Sequence, residues 1–110
     1  MCIRDRDGSA EGKTQAAGAL LNLAWNEDNQ VPIAREGGIE PLIALLRDGT
    51  AEGKSNAAAT LLNLALNADN QVRIAREGGI EALIALLRDG SAEGKTEAAW
   101  ALKNLSLIHI

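Results

Sequence analysis

The feature that most constrains this chain is a repeat within its own sequence. Asp7–Arg47 lies without a gap on Asp48–Arg88, with 32 of 41 positions identical, and Asp89–Asn104 opens a third copy. Such a chain does not close around one central core. Each copy buries a face against the next, and the copies line up as a stack of supersecondary units. Periods of about 40 to 47 residues belong to stacked helical pairs and triplets. Most of the nine differences are mild, as in Ser9 to Thr50, Thr14 to Ser55, Gln15 to Asn56 and Gly18 to Ala59. Trp25 to Leu66 and Pro32 to Arg73 change character.

Within each unit the residue pattern predicts three helices and no sheet, because no segment alternates with a period of two. Asp28 and Asp69 are expected to cap a short first helix that ends at Gly37-Gly38 or Gly78-Gly79, where glycine accepts a left-handed turn. Ile39–Arg47 and Ile80–Arg88 carry isoleucine and leucine at helical spacing and form the second helix, stopped by an Asp-Gly pair. Ser9, Thr50 and Ser91 then cap a third helix, rich in alanine and leucine, that runs to about Asn26 and Asn67 in the first two copies.

These residues resemble armadillo repeats. The resemblance rests on the Gly-Gly between a short helix and a second helix, followed by a long third helix ending Ala-Leu-Leu-Asn-Leu-Ala (Ala19–Ala24) or Trp-Ala-Leu-Lys-Asn-Leu (Trp100–Leu105). It covers nearly everything from Asp7 to Leu105. It implies an all-α fold, a right-handed α-solenoid of three-helix units. The two-helix HEAT repeat is the rival, and it lacks the glycine-marked first helix.

Both ends depart from the pattern. Arg4 and Asp5 stand where the repeat has Leu45 and Leu46, or Leu86 and Leu87, and Ile108, His109 and Ile110 replace the Asn-x-Asp that should follow the third helix. Back-translating Met1–Arg6 as ATG TGT ATA AGA GAC AG gives the reverse complement CTG TCT CTT ATA CAC AT, which encodes Leu105–His109. This inverted element resembles a transposase end used to fragment DNA, so residues 1–6 and 105–110 are read as adapter translated into protein, flanking a repeat region of residues 7–104. Cys2 and His109 then carry no role. The native array is expected to extend in both directions and, as it stands, to self-associate through bare apolar faces.

Composition excludes several function classes. A net charge of −4 with no basic run gives no footprint for a phosphate backbone, so no nucleic acid is expected. No stretch reaches the roughly 20 apolar residues of a membrane span. One Cys and one His are too few for a zinc site or a catalytic triad, so no metal, cofactor or catalytic residue is assigned. A chain with one Cys suits a reducing setting, the cytoplasm or the nucleus. Gly12-Lys13-Thr14, Gly53-Lys54-Ser55 and Gly94-Lys95-Thr96 suggest a phosphate loop. However, Gly8 to Gly12 encloses three residues rather than four, and the preceding element is a helix rather than a strand. The pairs Glu36 with Glu40 and Glu27 with Asp28 read as helix-end solvation rather than acid/base machinery.

One face of the third helix carries the candidate site. Turning about 100° per residue from Asn22, the residues Glu11, Gln15, Gly18, Trp25 and Asn26 fall within about 60° of it, while Ala16, Ala17, Leu20, Leu23 and Ala24 point to the core. The polar face recurs as Asn22, Asn63 and Asn104. With third helices ~10 Å apart and ~3.3 Å per extended residue, one asparagine serves two to three residues of a bound peptide, whose N–H and C=O a carboxamide can hold. The resemblance implies the same role, since armadillo third helices line a groove in which such asparagines hold a peptide backbone. Nuclear import adaptors of the family add a Trp four residues earlier; Trp100 matches that, and Gly18 and Ala59 do not.

The expected function is therefore a protein interaction module, not an enzyme, that binds an extended and basic peptide segment. Its expected site residues are Asn22, Asn63, Asn104, Gln15, Asn56, Trp100, Glu97, Glu11, Glu52 and Glu93. Alternatives are an interaction arm of a larger enzyme such as a ubiquitin ligase or kinase, or a structural spacer in which the asparagines join neighbouring helices. Trp25 is open between burial against a neighbouring helix and ligand contact.

Overall fold

The computed structural model describes residues 10–106. Among them are seven helices and no strand: α1 (Ala10–Ala24), α2 (Glu27–Arg35), α3 (Ile39–Asp48), α4 (Ala51–Leu64), α5 (Ala68–Arg76), α6 (Gly79–Asp89) and α7 (Ala92–Ser106). Helices α2, α3 and α4 form one three-helix unit and α5, α6 and α7 the next, while α1 is the third helix of a unit before them. The assembly is elongated, 51 × 31 × 21 Å. The expected cap Ser9 and the end segments, residues 1–6 and 107–110, lie outside the described residues, whereas Leu105 is a buried core residue of α7.

Each unit boundary follows from local chemistry. The short first helices are capped by Asn26 and Asn67 rather than by Asp28 and Asp69: the Asn26 Oδ1 accepts from the Asp28 N–H, and the Asn67 Oδ1 from Asp69 and Asn70. The aspartates instead occupy the first turn, where a negative charge meets the positive helix end. As a result the third helices stop at Ala24 and Leu64, two or three residues before the expected asparagines. Gln30 and Gln71 close that stop from the other side, each donating its buried Nε2 to the carbonyl of Ala24 or Ala65, at 3.1 and 2.6 Å.

The Gly-Gly pair divides two jobs. Gly37 and Gly78 take φ of +86° and +92°, the left-handed region that side chains avoid. A Cβ on Gly38 would stand 2.8 Å from the Ile33 carbonyl oxygen, and on Gly79 2.7 Å from that of Ile74. In the first unit the amides of Gly37 and Gly38 return to the carbonyls of Ala34 and Ile33, the pairing that ends a helix in a left-handed turn. Thr50 and Ser91 cap α4 and α7 as expected, accepting from Gly53 and Gly94.

Helix α4 is the spine. It packs against α1 on one side, α7 on the other and α3 along its length, and Ala57, Ala58, Leu61, Leu64 and Ala65 are fully buried there. The identical residues of α1 are not equally covered. Ala17 and Ala24 are buried as expected, but Leu20 is half-buried, Ala16 is exposed and Leu23 is 51% exposed. The helical spacing aims them correctly; among the described residues no unit lies beyond α1 to cover them.

Candidate functional site

The three third helices stack in the order α1, α4, α7, so their polar faces adjoin. The alanines and glycines of these helices leave little side-chain bulk between neighbours, and the close approach is fixed by hydrogen bonds from one unit to the next. Asn56 Nδ2 donates to the Thr14 carbonyl at 3.4 Å, Thr60 Oγ1 to that of Ala17 at 3.3 Å, and Asn104 Nδ2 to that of Leu62 at 3.1 Å. The Thr14 and Thr50 hydroxyls meet at 2.9 Å. The first helices are joined likewise, by Asn70 to the Gln30 carbonyl and Arg73 to the Ala34 carbonyl.

The asparagine ladder has three different environments. Asn22 on α1 is exposed. Asn63 on α4 is only 9% exposed, but its carboxamide is not a buried unpaired group: among the described residues the one buried side-chain polar atom without a partner is the Gln71 Oε1. Asn104 on α7 is half-buried and spends one amide hydrogen on Leu62. Of the other expected site residues, Gln15 is exposed, Asn56 is half-buried and engaged with Thr14, and Glu11, Glu52 and Glu93 are exposed in the first turns of their helices. Asn26 leaves the face to cap α2, a correction to its expected place. Trp25 follows α1 in the turn and is 71% exposed, so it is not buried against a helix of the described residues.

Helix α7 gathers an aromatic and charged cluster. Trp100 is half exposed, and the Lys103 Nζ lies 4.6 Å from its ring centroid, a cation over a π face. Glu97 sits about one turn before Trp100, and Glu93 one turn before that. Partial burial raises the Glu97 pKa, and the neighbouring charge of Glu93 raises it further. Lys103 was not among the expected residues, although its spacing of three from Trp100 on one helix marks a facing pair. Among the described residues no three metal-ligating side chains converge, and no helix is long and apolar enough to cross a membrane. Gly53-Lys54-Ser55 lies within the start of α4, with Gly53 and Ser55 buried against its neighbours.

The family model for the armadillo/beta-catenin-like repeat matches residues 26–66 and 67–107. The chain belongs to the armadillo repeat family. Each match spans one three-helix armadillo unit, from the Asn cap of its first helix to the end of its third, and α1 precedes the first match. No curated protein and no solved structure matches the chain. Armadillo repeats are generally protein interaction modules.

Proposed function

We propose that the chain holds an extended, basic segment of a partner protein along the polar face of α1, α4 and α7, without catalysis, in the cytoplasm or nucleus. The observation that supports this reading is Asn63. Asn63 is only 9% exposed, yet its carboxamide is not a buried unpaired group, the Gln71 Oε1 being the one such atom among the described residues, so it meets solvent on the face that the third helices share. A peptide backbone offers it both a donor and an acceptor. Glu11, Glu52, Glu93 and Glu97 make the same face acidic, and Trp100 offers a ring for the stem or guanidinium of a basic side chain once Lys103 moves aside.

A second reading is favoured by Asn104, whose bond to the Leu62 carbonyl ties one unit to the next. In that reading the ladder is a set of struts. Calorimetric titration with a pool of basic peptides separates the two. If the groove binds, Asn63→Ala weakens affinity by about 1 to 3 kcal/mol, roughly 5- to 150-fold, because peptide backbone groups lose their partner. Its melting temperature changes little, and added salt lowers the affinity of both proteins. Equal affinity in both, or a loss of stability as large as the loss of binding, would establish struts.

A further inference from the structure

A second surface stands at the turns that join third helices to first helices. In each turn Asn26 or Asn67 caps the helix that follows, and its amide returns to the carbonyl of Leu23 or Leu64. Gln30 or Gln71 holds the carbonyl of the buried alanine at the end of the third helix. The residue between that alanine and the asparagine has no part in the closure, and its side chain stands outward: Trp25 is 71% exposed and Leu66 is 63% exposed. They occupy the same repeat position. Their exposure belongs to that position and not to where the stack stops. Trp25 is exposed although α2 and α4 of the unit after it pack on α1, and Leu66 is exposed although α1 before it and α7 after it both pack on α4.

Charge and spacing define what this edge can hold. Helices α1 and α4 have no basic residue in their last turns, while Glu27 and Asp28 open α2 and Asp69 opens α5, all three exposed. Apolar side chains beside carboxylates are repelled by an anionic lipid surface and suit an apolar segment that carries a cation. With third helices ~10 Å apart, Trp25 and Leu66 recur at about that distance. A β-strand presents one face every two residues, about 6.6 Å, and falls out of step. An α-helix repeats a face every seven residues, about 10.5 Å, but it docks through a broad apolar stripe, and each unit offers here one apolar side chain flanked by acid. A polyproline II segment turns once in three residues with a rise of about 3.1 Å, so every third residue returns to the same edge after about 9.3 Å, one unit of the stack. Proline rings pack on an indole face, and a segment already in this conformation has little entropy left to lose.

We infer that the edge formed by Trp25 and Leu66 docks a proline-rich segment of a partner, with proline at every third residue and a basic residue between, one proline on each side chain and the cation beside Glu27, Asp28 or Asp69. This site lies one helical turn beyond the asparagine ladder and stands whether or not the ladder binds. The test is fluorescence anisotropy of a labelled peptide of four Pro-Ala-Arg triplets titrated with the full chain. A peptide of four Gly-Ala-Arg triplets keeps the charge and loses the polyproline shape. The proline peptide is expected to bind, the glycine peptide to bind roughly tenfold more weakly, and a peptide of four Pro-Ala-Glu triplets not to bind. Trp25→Ser and Leu66→Ser, at exposed sites that leave melting unchanged, each weaken the proline peptide roughly tenfold, whereas Trp25→Tyr retains most of the affinity and Asn63→Ala all of it. No binding by the proline peptide, equal binding by the glycine peptide, or binding that Trp25→Ser and Leu66→Ser both leave unchanged overturns the inference. A dimer in sedimentation that Trp25→Ser abolishes and the proline peptide fails to displace overturns it also, in favour of a second copy. Asn63→Ala acting on the glycine peptide reports on the ladder, so either reading can fail without the other.

Discussion

Leu23 and Leu64 are the same residue in the same local sequence, Leu-Leu-Asn-Leu-Ala, on consecutive third helices. Helix propensity therefore cancels between them, and a matched pair of truncations isolates the contribution of a neighbouring unit. Leu64 is fully buried, so Leu64→Ala removes its transfer free energy and leaves a cavity, a cost of about 3 kcal/mol within the usual range of about 2 to 5. Leu23 is 51% exposed. Its truncation loses about half of a leucine's burial and opens no closed cavity, on the order of 1 kcal/mol. The expected gap is about 2 kcal/mol, or roughly 30-fold in the folding equilibrium. With a urea slope of about 1 kcal/mol/M, unfolding followed by circular dichroism should separate the two midpoints by about 2 M at equal protein concentration. Equal midpoints, or a lower midpoint for Leu23→Ala, would refute the claim that the stack covers α4 and leaves α1 open.

Other substitutions probe the helix contacts and the acidic cluster. Gly18→Ala should stabilise by about 0.5 to 1 kcal/mol, since its Cβ would meet only the Asn56 Nδ2 at an ordinary 3.5 Å and helical alanine is preferred to glycine. Gly53→Ala should destabilise despite the same preference, because its Cβ would fall 2.8 Å from the Thr14 hydroxyl and 3.1 Å from that of Thr50; thermal melts that move in the same direction for both would contradict this. The pKa of Glu97 is raised in the folded state, so its stabilising contribution is complete below the ordinary glutamate range and is lost as pH rises through the raised value. Glu97→Gln should therefore raise the melting temperature near neutral pH, with the gain vanishing in acid, and a gain independent of pH would exclude burial and Glu93 as its cause.

The order of the helices was legible because periodicity, caps and Gly-Gly stops act over a few residues. The first-helix caps were misplaced by two residues because Asn26 and Asp28 are both good caps, and only the geometry shows Asn26 accepting the amide while Asp28 sits in the first turn. Burial was not legible to the same degree. Copies that are identical in sequence differ in exposure according to whether a unit lies on each side, as Leu23 and Leu64 or Ile43 and Ile84 show. That dependence reaches the candidate site. The shared helix face of Asn22, Asn63 and Asn104 could be derived from spacing alone, but the bond from Asn104 to Leu62 and the position of Lys103 over Trp100 depend on how two helices meet or on which rotamer a long side chain takes. One residue type in one register therefore occupies three environments. Asn22 has no described unit before it and Asn104 none after it, so neither reports how an asparagine behaves inside a longer array. Among the described residues Asn63 alone has a third helix on both sides, and it is the least exposed of the three. A measurement at Asn63 therefore transfers to a longer stack of such units, and one at either end does not.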